Sequence, residues 1–158
     1  MSTVVLSVDD SPQVLLTRGV LLQLAGYEVL SAPNGYLGLQ LFEEHNVNAV
    51  ILDYSMPGMS GGIVAAKMKR SKPYIPIIMV SAHLELPRST FQSIDAFVAK
   101  GEGPNVLLAE LHRLLLAVQQ GDQSFPKAVW SAAAGQGSAN EALRRVSRSA
   151  VAMQRTAA

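Results

Sequence analysis

The chain has 158 residues, 49% hydrophobic and 16% charged, with a formal net charge of +1. This fits one globular domain with a real core plus a short extension, and it excludes a wholly disordered chain. The absence of cysteine excludes a disulfide framework or a thiolate metal centre. No signal-like stretch and no run long enough to span a bilayer is visible, so a cytoplasmic protein is expected.

The charge is unevenly spread. Residues 1–120 carry eight Lys/Arg against ten Asp/Glu, whereas residues 121–158 carry five against two. In chain order, "TVVLSV" (3–8) reads as a first strand, with the β-branched, apolar character of a strand covered on both faces. It runs into Asp9-Asp10. Ser11 is placed to cap a helix over 12–25, Pro12 to open it and Gly26 to end it. Val14, Leu21, Leu22 and Ala25 can face a sheet. Leu16, Val20 and Leu24 form a second apolar stripe, so this helix is either buried twice or offers a surface to a partner.

"YEVLSA" (27–32) is the second strand and 35–45 the next helix. "NAVILD" (48–53) is a short apolar run ending on Asp53, the pattern of a buried strand. A loop containing Met56 and Met59 leads to a helix over 60–70. "IPIIMVS" (75–81) is a fourth strand ending on Ser81. A short helix near 87–94 follows, with Pro87 in its first turn. "AFVAK" (96–100) is a fifth strand ending on Lys100, and Pro104 opens a last helix over 104–120.

Five β-α units in series predict an α/β fold: a parallel sheet wrapped by helices through right-handed crossovers. Ligands of such sheets gather outside the carboxyl ends of the strands. Asp9, Asp10, Asp53, Ser81 and Lys100 would meet there. Taken singly, Asp9-Asp10 could cap a helix and Lys100 could be solvated; the joint placement favours a site. Clustered carboxylates repel unless a cation joins them. Mg²⁺ takes oxygen ligands, commonly one or two carboxylates, waters and a phosphate. Asp10 and Asp53 can supply carboxylates, and a carbonyl in the loop after Asp53 a further oxygen. Lys100 can pair with Asp53 or a phosphate, and the Ser81 hydroxyl can donate to one. The set suits phosphoryl transfer, with Asp53 as the nucleophile of an aspartyl phosphate.

"VLSVDDSP", "VILDYSMPGMSG", "IIMVSAH" and "AFVAK" together resemble the receiver domain of bacterial two-component response regulators, over residues 1–120. The resemblance implies a flavodoxin-like (CheY-like), doubly wound five-stranded sheet. It implies that Asp53 accepts phosphate from a histidine kinase or histidine phosphotransfer protein. Asp10 would bind Mg²⁺ directly, Asp9 through water, and Ser55 through its backbone carbonyl. Ser81 matches the switch hydroxyl, Lys100 the phosphate-binding lysine, and Phe97 the aromatic that swings inward on activation. Gly101 stands where many receivers have a proline in a cis peptide. The Ser81–Lys100 segment is short for the family. His83, two residues past Ser81, is either an exposed loop histidine or, with Ser55, a rim residue that governs the hydrolytic water. His45 and His112 are expected to be solvated.

Catalysis is expected to be confined to phosphotransfer and dephosphorylation at Asp53 itself, with output through protein contacts. A flavin or nucleotide protein of the same fold is disfavoured, because the turn Asp9-Asp10-Ser11-Pro12 presents anions and lacks a donor at Pro12. A regulator with a minimal basic DNA-binding tail and a phosphate-independent, receiver-like interaction module are the alternatives. A membrane partner is not expected, nucleic acid is disfavoured, and a homodimer is left open. Residues 121–137 read as a linker. Ser138 and Glu141 fit a capping box. Behind them Leu143, Val146, Ala150 and Met153 share one side of a helical projection, and Arg144, Arg145, Arg148 and Arg155 the other. That tail (138–158) is either a helix that needs a surface or disordered.

Overall fold

Runs of four or five residues, apolar in the main, make the strands, and each is followed by a helix. The computed structural model describes residues 1–121. Their order is β1 (Val4–Val8), α1 (Pro12–Leu24), β2 (Glu28–Ala32), α2 (Gly35–Glu44), β3 (Ala49–Asp53), α3 (Gly61–Ser71), β4 (Ile77–Ser81), α4 (Arg88–Phe91), β5 (Ala96–Ala99) and α5 (Pro104–Gln119). The strands form one parallel sheet in the order β2-β1-β3-β4-β5. This is the expected flavodoxin-like topology. The chain direction across the sheet reverses between β1 and β3, which sets a crevice at their carboxyl ends.

The two-residue period of the strands divides the core in two. Leu6, Val8, Val50, Leu52, Ile77 and Met79 pack with Phe42 of α2 and Val64 and Met68 of α3. Val5, Ala49, Ile51, Ile78 and Val80 pack with Leu22 of α1 and Leu107, Leu111 and Leu114 of α5. Every residue of β3 and β4 is buried, as continuous apolar runs require.

Local chemistry sets the helix ends. Ser11 Oγ accepts from Val14 N at 3.4 Å, and Pro12 opens α1. Gly26, at φ 92°, closes it: Gly26 N donates to Gln23 O and Tyr27 N to Leu22 O, both at 3.0 Å. That is a Schellman closure, and its left-handed residue favours glycine. A Cβ on Gly61 would lie 2.2 Å from the Asp53 carbonyl oxygen. The first turn of α3 thus sits directly on the backbone that carries Asp53, and only glycine permits it.

Several boundaries differ from expectation. Helix α4 is a single turn rather than a helix over 87–94, and Pro87 is its N-cap rather than a first-turn residue. Its length is set by docking, because Thr90 and Phe91 are its buried residues and the chain must then turn back into β5. Ala25 is the exposed C-cap of α1 and does not face the sheet. Leu16, Val20 and Leu24 are exposed, so the second stripe of α1 has no cover from this chain's described residues. His45 and His112 are exposed, as expected. No peptide bond among the described residues is cis, so Lys100-Gly101 is trans. Among the described residues no helix is long and apolar enough to cross a membrane. The expected linker beyond Gly121 and the tail over 138–158 lie outside the described residues.

Candidate functional site

The ladder continues past two strands and so fixes the side chains that follow them. Asp9 N donates to Ala32 O at 3.1 Å, and Lys100 N to Ser81 O at 3.0 Å. Asp53 is the last residue of β3. Asp9 and Asp53 are buried, at 0% and 1% exposure, and Asp10 is exposed. The three carboxylates offer oxygens that all lie within 4.8 Å of one another.

Their surroundings are unequal. Asp9 Oδ1 accepts from Ser11 N at 3.0 Å, and Asp9 Oδ2 from Arg18 Nη2 at 3.3 Å. Lys100 Nζ stands 3.0 Å from Asp53 Oδ1 and 3.8 Å from Asp9 Oδ2. Lys100 and Asp53 form an ion pair, and Asp53 Oδ2 is buried with no hydrogen-bond partner. Burial pushes the Asp53 carboxyl above its usual range; Lys100 opposes this, while Asp9 and Asp10 add to it. A buried carboxylate with unmet capacity, beside two more carboxylates, is an all-oxygen donor set that fits a hard divalent cation.

The other expected residues lie on β4, on β5 and on the loops that follow β3 and β4. Ser81 is buried, and its Oγ accepts from His83 N at 2.9 Å, which leaves the hydroxyl proton free to be donated. Ser55 and the His83 side chain are exposed. Phe97 is already inward at 4% exposure, with its ring 6.3 Å from that of Phe91 of α4 and tilted by 52°. Expected to swing inward on activation, it has almost no surface left to bury. Phenylalanine has no hydroxyl to reward an outward position, so packing keeps it in.

Sequence reasoning missed Arg18 and Ser7. Arg18 is only 7% exposed, and its Nη1 donates to buried Ser7 Oγ at 3.1 Å. Burial lowers the Arg18 pKa from its usual value, and Asp9 opposes that shift. The signal was present. Ser7 lies on β1 and Asp9 directly follows that strand, two residues on, so the two share one face. Arg18 lies four residues after Val14 and four before Leu22, within the stripe of α1 that faces the sheet.

The family model for the response regulator receiver domain matches residues 5–112. The transcriptional regulatory protein KdpE of Mycobacterium tuberculosis is 35% identical over 113 residues, covering 69% of this chain and 49% of that protein. This chain therefore spans about half the length of that curated relative. A CheY-like receiver domain from Methanospirillum hungatei superposes with a TM-score of 0.73 at 27% identity, covering 77% of this chain and 99% of the other. The response regulator TrrA of Thermotoga maritima, solved in complex with the histidine kinase ThkA, gives 0.67 at 34% identity, covering 72% and 98%. TrrA has also been solved with Mg²⁺-BeF, at 32% identity over 71% of this chain and 98% of that one, with a TM-score of 0.67. By motif order, sheet topology and these matches, this chain belongs to the response regulator receiver domain family, whose members are phosphorylation-controlled signalling modules.

Proposed function

We propose that Asp53 is the phosphoacceptor of this chain and that a histidine kinase or histidine phosphotransfer protein is the donor. The observation that carries this is the buried Asp53 carboxylate at the end of β3, with an unpartnered Oδ2 and a lysine 3.0 Å from Oδ1. An Asp53 oxygen attacks phosphorus, the bond from phosphorus to the donor imidazole nitrogen breaks, and its electron pair stays on the imidazole. Lys100 then pairs with the phosphoryl oxygens, and the Ser81 hydroxyl turns to donate to one of them. A Mg²⁺ held by Asp10, Asp53 and the Ser55 carbonyl, with Asp9 acting through water, would neutralise charge on the pocket and on the transferring group.

Phosphotransfer and hydrolysis at Asp53 are the only chemistry this reading requires. Ser55 and His83, exposed at the rim, govern the approach of the hydrolytic water. The exposed stripe Leu16, Val20 and Leu24 supports a protein partner on α1, and the histidine kinase seen with TrrA supports the class of that partner. Phe97 couples the crevice to α4 through Phe91. Output runs through protein contacts, in the cytoplasm.

The test is incubation with a small phosphodonor, read by intact mass. The wild type should gain one phosphoryl group with Mg²⁺ and none in excess chelator. Asp53→Asn should gain none. Uptake that persists in that variant would sink the reading.

A further inference from the structure

The acidic pocket holds two cations. Lys100 is expected there; Arg18 is not. Arg18 projects from the middle of α1 into the layer between helix and sheet, where an apolar side chain would pack more cheaply. Two groups explain its presence. Ser7 interrupts the apolar face of β1, and Asp9 is buried two residues further along that face. The guanidinium bridges them, at 3.1 Å from Ser7 Oγ and 3.3 Å from Asp9 Oδ2. Asp9 thereby has both oxygens engaged, one by Ser11 N and one by Arg18.

Two consequences follow for a divalent cation. Asp9, Asp10, Asp53, Lys100 and Arg18 together carry one net negative charge, and without Arg18 they would carry two. Affinity for a hard cation rises with the ligand charge gathered around it. Arg18 also competes with a metal-bound water for Asp9 Oδ2, and weakens that contact unless it swings aside. Room for that exists: Arg18 lines a cavity of about 350 Å³ together with Gln13, Thr17, Lys100 and Pro104.

We propose that Arg18 is the resident counter-ion of the acidic pocket, a positioning residue that holds Asp9 in the metal-free protein and competes with the divalent cation for it. Arg18 then sets how much Mg²⁺ the domain needs. This rests on the reading of the pocket as a Mg²⁺ site.

The experiment uses the full chain. Mg²⁺ affinity is measured by calorimetric titration, and thermal unfolding is followed in chelator and in saturating Mg²⁺. Arg18→Gln should bind Mg²⁺ about tenfold more tightly than wild type, because a unit charge a few ångströms from the ligand oxygens is removed. Its Tm should fall in chelator and recover more on Mg²⁺ addition than that of the wild type. Arg18→Lys keeps the charge and should stay near the wild-type affinity. The proposal is overturned if Arg18→Gln binds Mg²⁺ no more tightly, or if the Gln and Lys variants shift alike. It is equally overturned if Arg18→Gln stays unfolded in saturating Mg²⁺, since Arg18 would then serve packing alone. Asp10→Asn separates the two levels. If its loss of Mg²⁺ uptake is clear while the Arg18 variants match wild type, only the counter-ion idea fails. If no variant takes up Mg²⁺, the metal reading fails with it.

Discussion

Two buried aspartates each meet a lysine, one at each end of the sheet, and the two pairs are built differently. At the carboxyl end, Asp53 faces Lys100 at 3.0 Å, and its Oδ2 has no hydrogen-bond partner. At the amino end of β4, Asp95 Oδ2 meets Lys69 Nζ at 2.7 Å and accepts from Ile77 N at 2.7 Å. Lys69 Nζ also donates to Pro73 O and Ile75 O, at 3.2 and 2.8 Å. The second pair is a finished clip that ties α3, the loop after it, β4 and the entry to β5. The first is an unfinished one. A buried aspartate beside a lysine therefore does not mark a site by itself; Asp53 differs from Asp95 in its unmet hydrogen-bonding capacity.

Exchanging the roles of the two aspartates is the strongest way to break this contrast. Asp53→Asn should lose all phosphoryl uptake and keep the fold. Asp95→Ala should keep phosphoryl uptake and lose about 3 kcal/mol of stability, because it strands Lys69 beside a buried backbone donor. Urea unfolding and intact-mass phosphorylation on both variants check this. A destabilised Asp53→Asn with a neutral Asp95→Ala would reverse the assignment.

The lysines sharpen the comparison at smaller amplitude. Lys69→Ala should cost about 2 kcal/mol, since Asp95 and two carbonyls lose a charged donor. Lys100→Ala, in a crevice already short of partners, should cost less and should still accept phosphate. What it should lose is the response. Beryllofluoride should move NMR resonances of Ser81 and His83 in the wild type and leave them nearly still in Lys100→Ala. Equal shifts in both proteins would show that Lys100 does not link the acceptor to the loop after β4.

The contrast between the pairs also explains what the sequence made legible. Element order was readable because the strands are short runs, mostly apolar and β-branched, and α1 and α5 begin at a proline. Asp9, Asp10, Asp53, Ser81 and Lys100 were readable because each stands at a strand's carboxyl end, where topology alone brings them together. The Asp95–Lys69 clip was not, since it depends on how α3 and β5 meet in space. Arg18 lies between these cases. Its helical register pointed at the sheet, but a charge on an apolar stripe becomes intelligible only once Ser7 and Asp9 are seen opposite it. The one-turn α4 and the inward Phe97 depend on each other through Phe91, a contact that no periodicity encodes.

The weakest effect expected is also the most specific to Asp53, and it concerns pH in the absence of divalent ions. Burial, Asp9 and Asp10 raise the Asp53 pKa above its ordinary value of 3.8, against the pull of Lys100. Between the unfolded-state value and the raised folded value, the native protein binds more protons than the unfolded chain. Stability from this group is therefore full below the ordinary carboxylate range and is lost as pH rises through the folded pKa. Asn carries no titrating proton, so Asp53→Asn should remove that decline and leave the pH dependence of the other groups in place. Denaturant unfolding in chelator, taken at several pH values on wild type and variant, gives the difference directly. A difference that grows in the variant's favour with rising pH supports an Asp53 carboxylate held at a cost inside the crevice, ready to be relieved by a metal or a phosphoryl group. Parallel curves would mean that Lys100 already satisfies it, and that the two aspartate–lysine pairs are alike after all.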